Sequence, residues 1–189
     1  MARSFVAASS QYLNNANAII TGYPFTLSIW FMSDSLTVDQ QLISIGVAGS
    51  VDNRFAIIAA GAQTGDPVRI FARDIAQAQA STSTAYSTNV WQHACGVGAS
   101  ATSRAIFLNG GSKGTNTTSI SPTGMNATYI GARQAGTPAG FMSGRLGEAA
   151  IWNVALTDAE VLNLANRISP FHVRPASLVG YWPVFGVGS

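Results

Sequence analysis

The stretch Phe25-Thr-Leu-Ser-Ile-Trp-Phe31 decides the fold. Side chains of an extended chain point alternately to opposite sides, so Phe25, Leu27, Ile29 and Phe31 share one face while Thr26, Ser28 and Trp30 share the other. Four large apolar groups on one face mark a central strand with a buried side. Working outward, the same alternation between turn residues predicts strands at Gln41 to Ile45, Arg54 to Ala59, Val68 to Arg73, Trp91 to Val97, Arg104 to Leu108, Ala127 to Ile130, Arg145 to Asn153 and Leu178 to Trp182. Nine such segments in 189 residues leave little room for helix. The fold class is therefore all-β, a two-sheet antiparallel sandwich with Phe25, Leu27, Ile29, Trp91, Leu108 and Ile151 in or near the core.

Turn chemistry supports that division. Asn109-Gly110 follows Ile106-Phe-Leu108, and this pair accepts the positive φ angles of a tight hairpin turn. The Ser- and Thr-rich stretches Ser81 to Ser87 and Gly114 to Ser121 are expected to be exposed loops. One helix is predicted near residues 157–167. Thr157-Asp-Ala-Glu160 forms a capping box, and Val161, Leu164, Ala165 and Ile168 then fall on one face before Pro170 ends the run. Residues 1–168 are expected to form one domain. Residues 169–189 are expected to be an extended connector, with Pro170 and Pro175, and a final strand packed on the same domain.

Charged residues make up only 10% of the chain, against about 25% in a typical soluble domain, so Ser, Thr, Asn, Gln and Gly must form much of the surface. Of the ten basic residues only Lys113 is Lys. Arg is enriched at interfaces where Lys is depleted, which points to assembly with neighbours. The basic residues are scattered from Arg3 to Arg174 without a run, so nucleic acid is not expected as a partner. Cys95 stands alone, which excludes an internal disulfide framework. The first ten residues lack a signal-peptide core, and no stretch approaches the ~18 apolar residues of a membrane span. The chain is expected to be soluble, made in the cytoplasm, not exported by the usual route, and without a membrane partner.

Four patches in fixed order carry a family resemblance: Thr26-Leu-Ser-Ile-Trp30, Val90-Trp-Gln-His93, Ile106-Phe-Leu-Asn-Gly110, and Gly144-Arg-Leu-Gly-Glu-Ala-Ala-Ile-Trp-Asn153 running into Ala155-Leu-Thr-Asp-Ala-Glu160. Together they resemble the laminin-G-like, concanavalin A-like jelly-roll family, over residues 4 to 167. The tail from Ser169 to Pro183 is similar to the ends of laminin-G-like proteins of tailed bacteriophages. The resemblance implies a jelly roll that adheres more often than it catalyses. On that basis the expected role is a non-enzymatic surface component of a virus particle, a bacteriophage capsid decoration or tail-surface protein. Its location would be the virion surface, and its partners other virion proteins, copies of itself in a homo-oligomer, and glycans at the rim loops. The alternative is a free carbohydrate-binding, lectin-like module, and a third reading is a glycoside hydrolase.

Hydrolases on this fold place catalytic carboxylates together on one strand, one to donate a proton and one to attack or stabilise. This chain has two glutamates, Glu148 and Glu160, and Glu160 belongs to the helix cap, so no catalytic residue is assigned. His93 and Cys95 share a strand face with Trp91 and Val97, an apolar setting that suits core packing over nucleophilic or metal chemistry. The family's rim calcium site makes Asp52 and Asp66 the metal candidates, since calcium takes six to eight oxygen ligands and loop Asp residues supply them. For a sugar, the loop residues Asn53, Arg133 and Gln134 are candidates for the hydroxyls and Tyr86 or Tyr23 for the ring face.

Overall fold

The computed structural model describes residues 2–184. In chain order the strands are β1 (Arg3–Phe5), β2 (Leu13–Asn15), β3 (Phe25–Ser33), β4 (Asp39–Gly46), β5 (Arg54–Ala60), β6 (Pro67–Arg73), β7 (Gln77–Ala85), β8 (Gln92–Ser100), β9 (Ser103–Leu108), β10 (Gly111–Asn116), β11 (Ala127–Ile130), β12 (Gly144–Trp152) and β13 (Leu178–Trp182), with one α-helix, α1 (Asp158–Ala165), before β13. A seven-stranded sheet runs β1-β12-β3-β8-β9-β10, with β13 also on β12, and a six-stranded sheet runs β2-β11-β4-β5-β6-β7. Every pairing between named strands is antiparallel. The expected jelly-roll sandwich is the fold.

The opening heptapeptide sits where its alternation places it. Phe25, Leu27, Ile29 and Phe31 are fully buried between the sheets with Phe55, Ile57 and Ile70 of the opposite sheet. Phe25 and Phe55 meet with ring centroids 4.3 Å apart, and Tyr23 closes the cluster against both. At that end Arg104, nearly inaccessible, donates to the Tyr23 hydroxyl, the Ala101 and Thr118 carbonyls and Asn116 Oδ1. Those partners satisfy most of a cation that would otherwise be costly to bury.

The outer face of the seven-stranded sheet is closed. Cys95, Val97, Phe107, Ala150 and Trp152 point away from the central core and form a second one with Leu156, Val161, Leu164 and Val173. The capping box of α1 is present in full, with Thr157 Oγ1 accepting from the Glu160 amide and the Glu160 carboxylate accepting from the Thr157 amide. Beyond α1 the expected extended connector instead contains two 3-10 turns, Pro170–His172 and Pro175–Ser177, each beginning on a proline that presets φ. They return the chain so that β13 pairs with β12. Of the expected tail, residues 185–189 lie outside the described residues.

Three sequence expectations change. The Ser- and Thr-rich stretch after Gln77 is strand β7, with Ala78 and Ala80 facing the core and Gln77 and Gln79 facing out. Gly114 belongs to edge strand β10, where a Cβ would stand 1.7 Å from the Ser81 carbonyl, so only glycine lets the edges of the two sheets close together. Trp91 precedes β8 and is half-buried, not a core residue. The predicted hairpin turn is present, with φ of 53° at Asn109 and 75° at Gly110, and Asn109 Oδ1 accepts from the His93 amide at 2.9 Å.

A candidate ligand-binding face

Among the described residues no helix packs on the outer face of the six-stranded sheet, and its side chains are set by register. Arg54 pairs with Arg73 across β5 and β6, and two residues along, Ala56 pairs with Phe71. The alternation that buries Phe55, Ile57, Ile70 and Ala72 therefore turns Arg54, Phe71 and Arg73 outward. After β11 the chain folds back as a short hairpin in which Arg133 and Ala139 exchange backbone hydrogen bonds of 3.0 and 2.9 Å. Ser44 Oγ donates to the Ala132 carbonyl at 3.0 Å and anchors the start of that hairpin to β4.

Arg54 and Arg73 are cross-strand partners on this side, and the hairpin brings Arg133 close enough for its charge to act on Arg54. Arg54 is 8% exposed, its cationic carbon lies 4.8 Å from the centre of the Phe71 ring, and one terminal nitrogen donates to the Val51 carbonyl at 2.6 Å. Its Nε has no partner. Burial lowers the Arg54 pKa to about 10, Arg133 and Arg73 push it the same way, and Asp52 opposes them. Burial, and then Arg73, also lowers that of Arg133. Asp52 is the counter-charge, paired at 2.5 Å with Arg73 Nε. Three cations against one carboxylate leave this patch positive.

Aromatic rings occupy the other side of the same face. Tyr129 lies in one row with Ser44, Ala56 and Phe71. Tyr12 stands 5.9 Å from Tyr129 and 6.1 Å from Phe141 between ring centroids, and both Tyr12 and Phe141 are half-exposed. From β11 to β5 and β6 is two or three strand spacings, ~10–14 Å.

The sequence candidates divide accordingly. Arg133 is on this face, and Asp52 is beside it, bound to Arg73. Gln134 is 7% exposed and its amide donates to the Gly136 carbonyl, holding the hairpin's own turn. Asn53, with φ of 56°, accepts from the Thr123 amide at 3.0 Å and so ties two loops together. Tyr86 departs from expectation: it is 1% exposed, packs edge-on against Phe31, and donates to the Ser35 carbonyl at 2.8 Å, so it offers no ring face to a sugar. Burial pushes its hydroxyl up to about 12. Tyr23 is held by Arg104 and the Ile120 carbonyl. Sequence reasoning missed Arg54, Arg73, Tyr12, Tyr129 and Phe141. The signal for two of them was present, because Arg69-Ile-Phe-Ala-Arg73 places Phe71 and Arg73 on one face and the neighbouring strand begins at Arg54.

The metal candidates are not brought into a cluster. Asp52 is committed to Arg73, and Asp66 sits at φ 42° in the β5–β6 turn with its carbonyl accepting from the Tyr86 amide. Among the described residues no three His, Cys, Asp or Glu side chains are grouped to hold a metal ion.

The groups suited to catalysis are dispersed or sealed. Glu148 accepts from the Tyr181 hydroxyl, whereas Glu160 is occupied by the helix cap and Arg174. Ser28 Oγ and His93 Nε2 lie 2.8 Å apart, but both residues are buried on the closed side. Desolvation lowers His93 to about 3 and raises the Cys95 thiol well above its ordinary range. A neutral histidine and a protonated thiol without solvent access are packing groups.

The family model of the concanavalin A-like lectin/glucanases superfamily, in its laminin-G form, matches residues 7–162. The chain belongs to this superfamily. No curated protein sequence matches this superfamily member significantly. Solved structures share its fold at low identity. The heptameric SAP-like pentraxin of Limulus polyphemus superposes with a TM-score of 0.67 at 15% identity, over 84% of this chain and 77% of the pentraxin. The CBM40 domain of the Ruminococcus gnavus IT-sialidase, bound to α2,3 sialyllactose, gives 0.61 at 17% identity, over 81% and 98%. Tailspike protein 2 of the Escherichia coli O157:H7 bacteriophage CAB120 gives 0.68 at 12% identity, over 96% of this chain and 26% of the tailspike.

Proposed function

We propose that this concanavalin A-like domain is a non-catalytic glycan-binding component of a virus-particle surface, as a bacteriophage capsid decoration or a part of its tail. The observation that carries the binding half is the outer side of the six-stranded sheet, where the half-exposed Tyr12, Phe141, Arg73 and Arg133 stand on the same side as the buried row of Tyr129, Ser44, Ala56 and Phe71. Aromatic rings cover sugar faces, and guanidinium groups donate to oxygen. The non-catalytic reading is supported by the separate commitments of Glu148 to Tyr181 and of Glu160 to the helix cap and Arg174. The virion half is supported by the phage-like tail and the low charge, together with a fold shared by a phage tailspike. Partners would then be other virion proteins and further copies of this chain, where many symmetric contacts give retention that one weak contact does not. A free carbohydrate-binding module is the second reading, favoured by the match to nearly the whole length of the Ruminococcus gnavus domain.

A glycan array followed by prolonged incubation with the retained glycans tests the first half. Retention without any shortened product is expected, and turnover that vanishes in Glu148→Gln would contradict it. Mass spectrometry of purified virions tests the second half, because a chain missing from intact particles does not decorate them.

A further inference from the structure

We infer that the outer side of the six-stranded sheet recognises an acidic glycan, holding a sugar carboxylate at Arg73 and Arg133, with Arg54 behind them, while neighbouring units run toward Tyr12 and Phe141. The inference rests on the glycan-binding reading and names the chemical class of its ligand.

Three guanidiniums gathered on one face repel one another, and burial adds to the cost of each charge. Here both effects act on Arg54, through desolvation and through Arg133 and Arg73. A single carboxylate, Asp52, offsets them, and it is paired with Arg73 alone. Arg54 is more than nine-tenths buried and retains an unpartnered Nε. An arrangement that gathers cations without matching anions is relieved by an anionic ligand. Arg73 and Arg133 are the solvent-accessible members, and Arg54 stands behind them.

The Asp52–Arg73 pair indicates the preferred chemistry. A planar carboxylate fits a guanidinium fork, and this cluster already holds one. The second half of the site is apolar, because Tyr12 and Phe141 present ring surface where the chain enters β2, three or four strand spacings or ~14–19 Å from β5 and β6, the span of a short oligosaccharide. A free small anion would use only the arginines; a carboxylated oligosaccharide uses both.

The test is titration calorimetry with a galacturonic acid trimer, its fully methyl-esterified form, a sialylated lactose and a sulfated lactose. The protein is compared with Arg133→Ala, which removes a hairpin side chain, and with Arg145→Ala, a control exposed on β12 of the other sheet. Binding of at least one carboxylated probe is expected, weakened about tenfold or more by esterification or by Arg133→Ala and unchanged by Arg145→Ala, since a charge-assisted hydrogen bond carries that much. The uronic and sialic probes distinguish the two sources of the carboxylate. Equal affinity for the ester and the acid would overturn the acidic ligand and leave glycan binding intact. Tighter binding of the sulfated probe would overturn the carboxylate, and unchanged binding by Arg133→Ala would overturn the site. Failure of these probes together with every glycan on the array would overturn both the inference and the reading beneath it.

Discussion

Replacing Trp152 by alanine is expected to destabilise the protein by about 3–5 kcal/mol, the cost typical of deleting a fully buried aromatic ring. The side chain is inaccessible to solvent and lies in the outer core beneath α1 with Val161, Leu164 and Val173. Its indole Nε1–H donates to the Val173 carbonyl at 2.7 Å, tying β12 to the returning C-terminal segment. Trp152→Phe keeps most of the ring and loses that donor, so it should cost less, about 1–3 kcal/mol for the orphaned carbonyl. Urea unfolding of the three proteins measures both differences. Near-equal stability of all three would mean that the C-terminal segment does not close this side of the sandwich.

Acidification should cost about 3 kcal/mol of stability by pH 4 through His93 alone. Burial lowers this imidazole from 6.5 to about 3 in the folded protein. Between those values the unfolded chain binds a proton that the native protein excludes, so stability falls as pH drops through the window and is complete above 6.5. Asp74 and Glu160, whose carboxyls are held below their ordinary values by hydrogen bonds, also lose stability in acid. The difference between the protein and His93→Gln isolates the histidine. The variant loses the native contact with Ser28 and starts lower at neutral pH, but its dependence between pH 6.5 and 4 should be flatter by about that amount. Parallel curves would mean that His93 is protonated in the native state.

Much of the fold was legible because large alternating side chains write their register plainly. Phe25 to Phe31, the Asn109-Gly110 turn and the Thr157-to-Glu160 cap all stand where their residue types place them. β7 was hidden because it buries only Ala78, Ala80 and Thr82, small groups whose inward period is masked by a Ser- and Thr-rich composition. β1 and β2 have three residues each, too few to show a period. The candidate site was less legible, since its residues come from separate hairpins that only tertiary register brings together. Arg54 on β5 and Arg133 on the hairpin after β11 look like scattered charges along the chain, yet the charge of Arg133 acts on Arg54 in the fold. Tyr86 misled in the opposite sense: a tyrosine at a polar loop was read as exposed, whereas its ring fills the core behind Phe31.

α1 and the C-terminal segment close the outer side of the seven-stranded sheet, and the proposed glycan site lies on the outer side of the other sheet. A nitrogen-labelled NMR titration with the galacturonic acid trimer tests it most directly. Saturable shifts concentrated on Arg54, Phe71, Arg73 and the hairpin around Arg133, reaching Tyr12 and Phe141, are expected. Shifts confined to α1 and the Ser169–Ser177 segment, or the absence of any saturable shift, would contradict it.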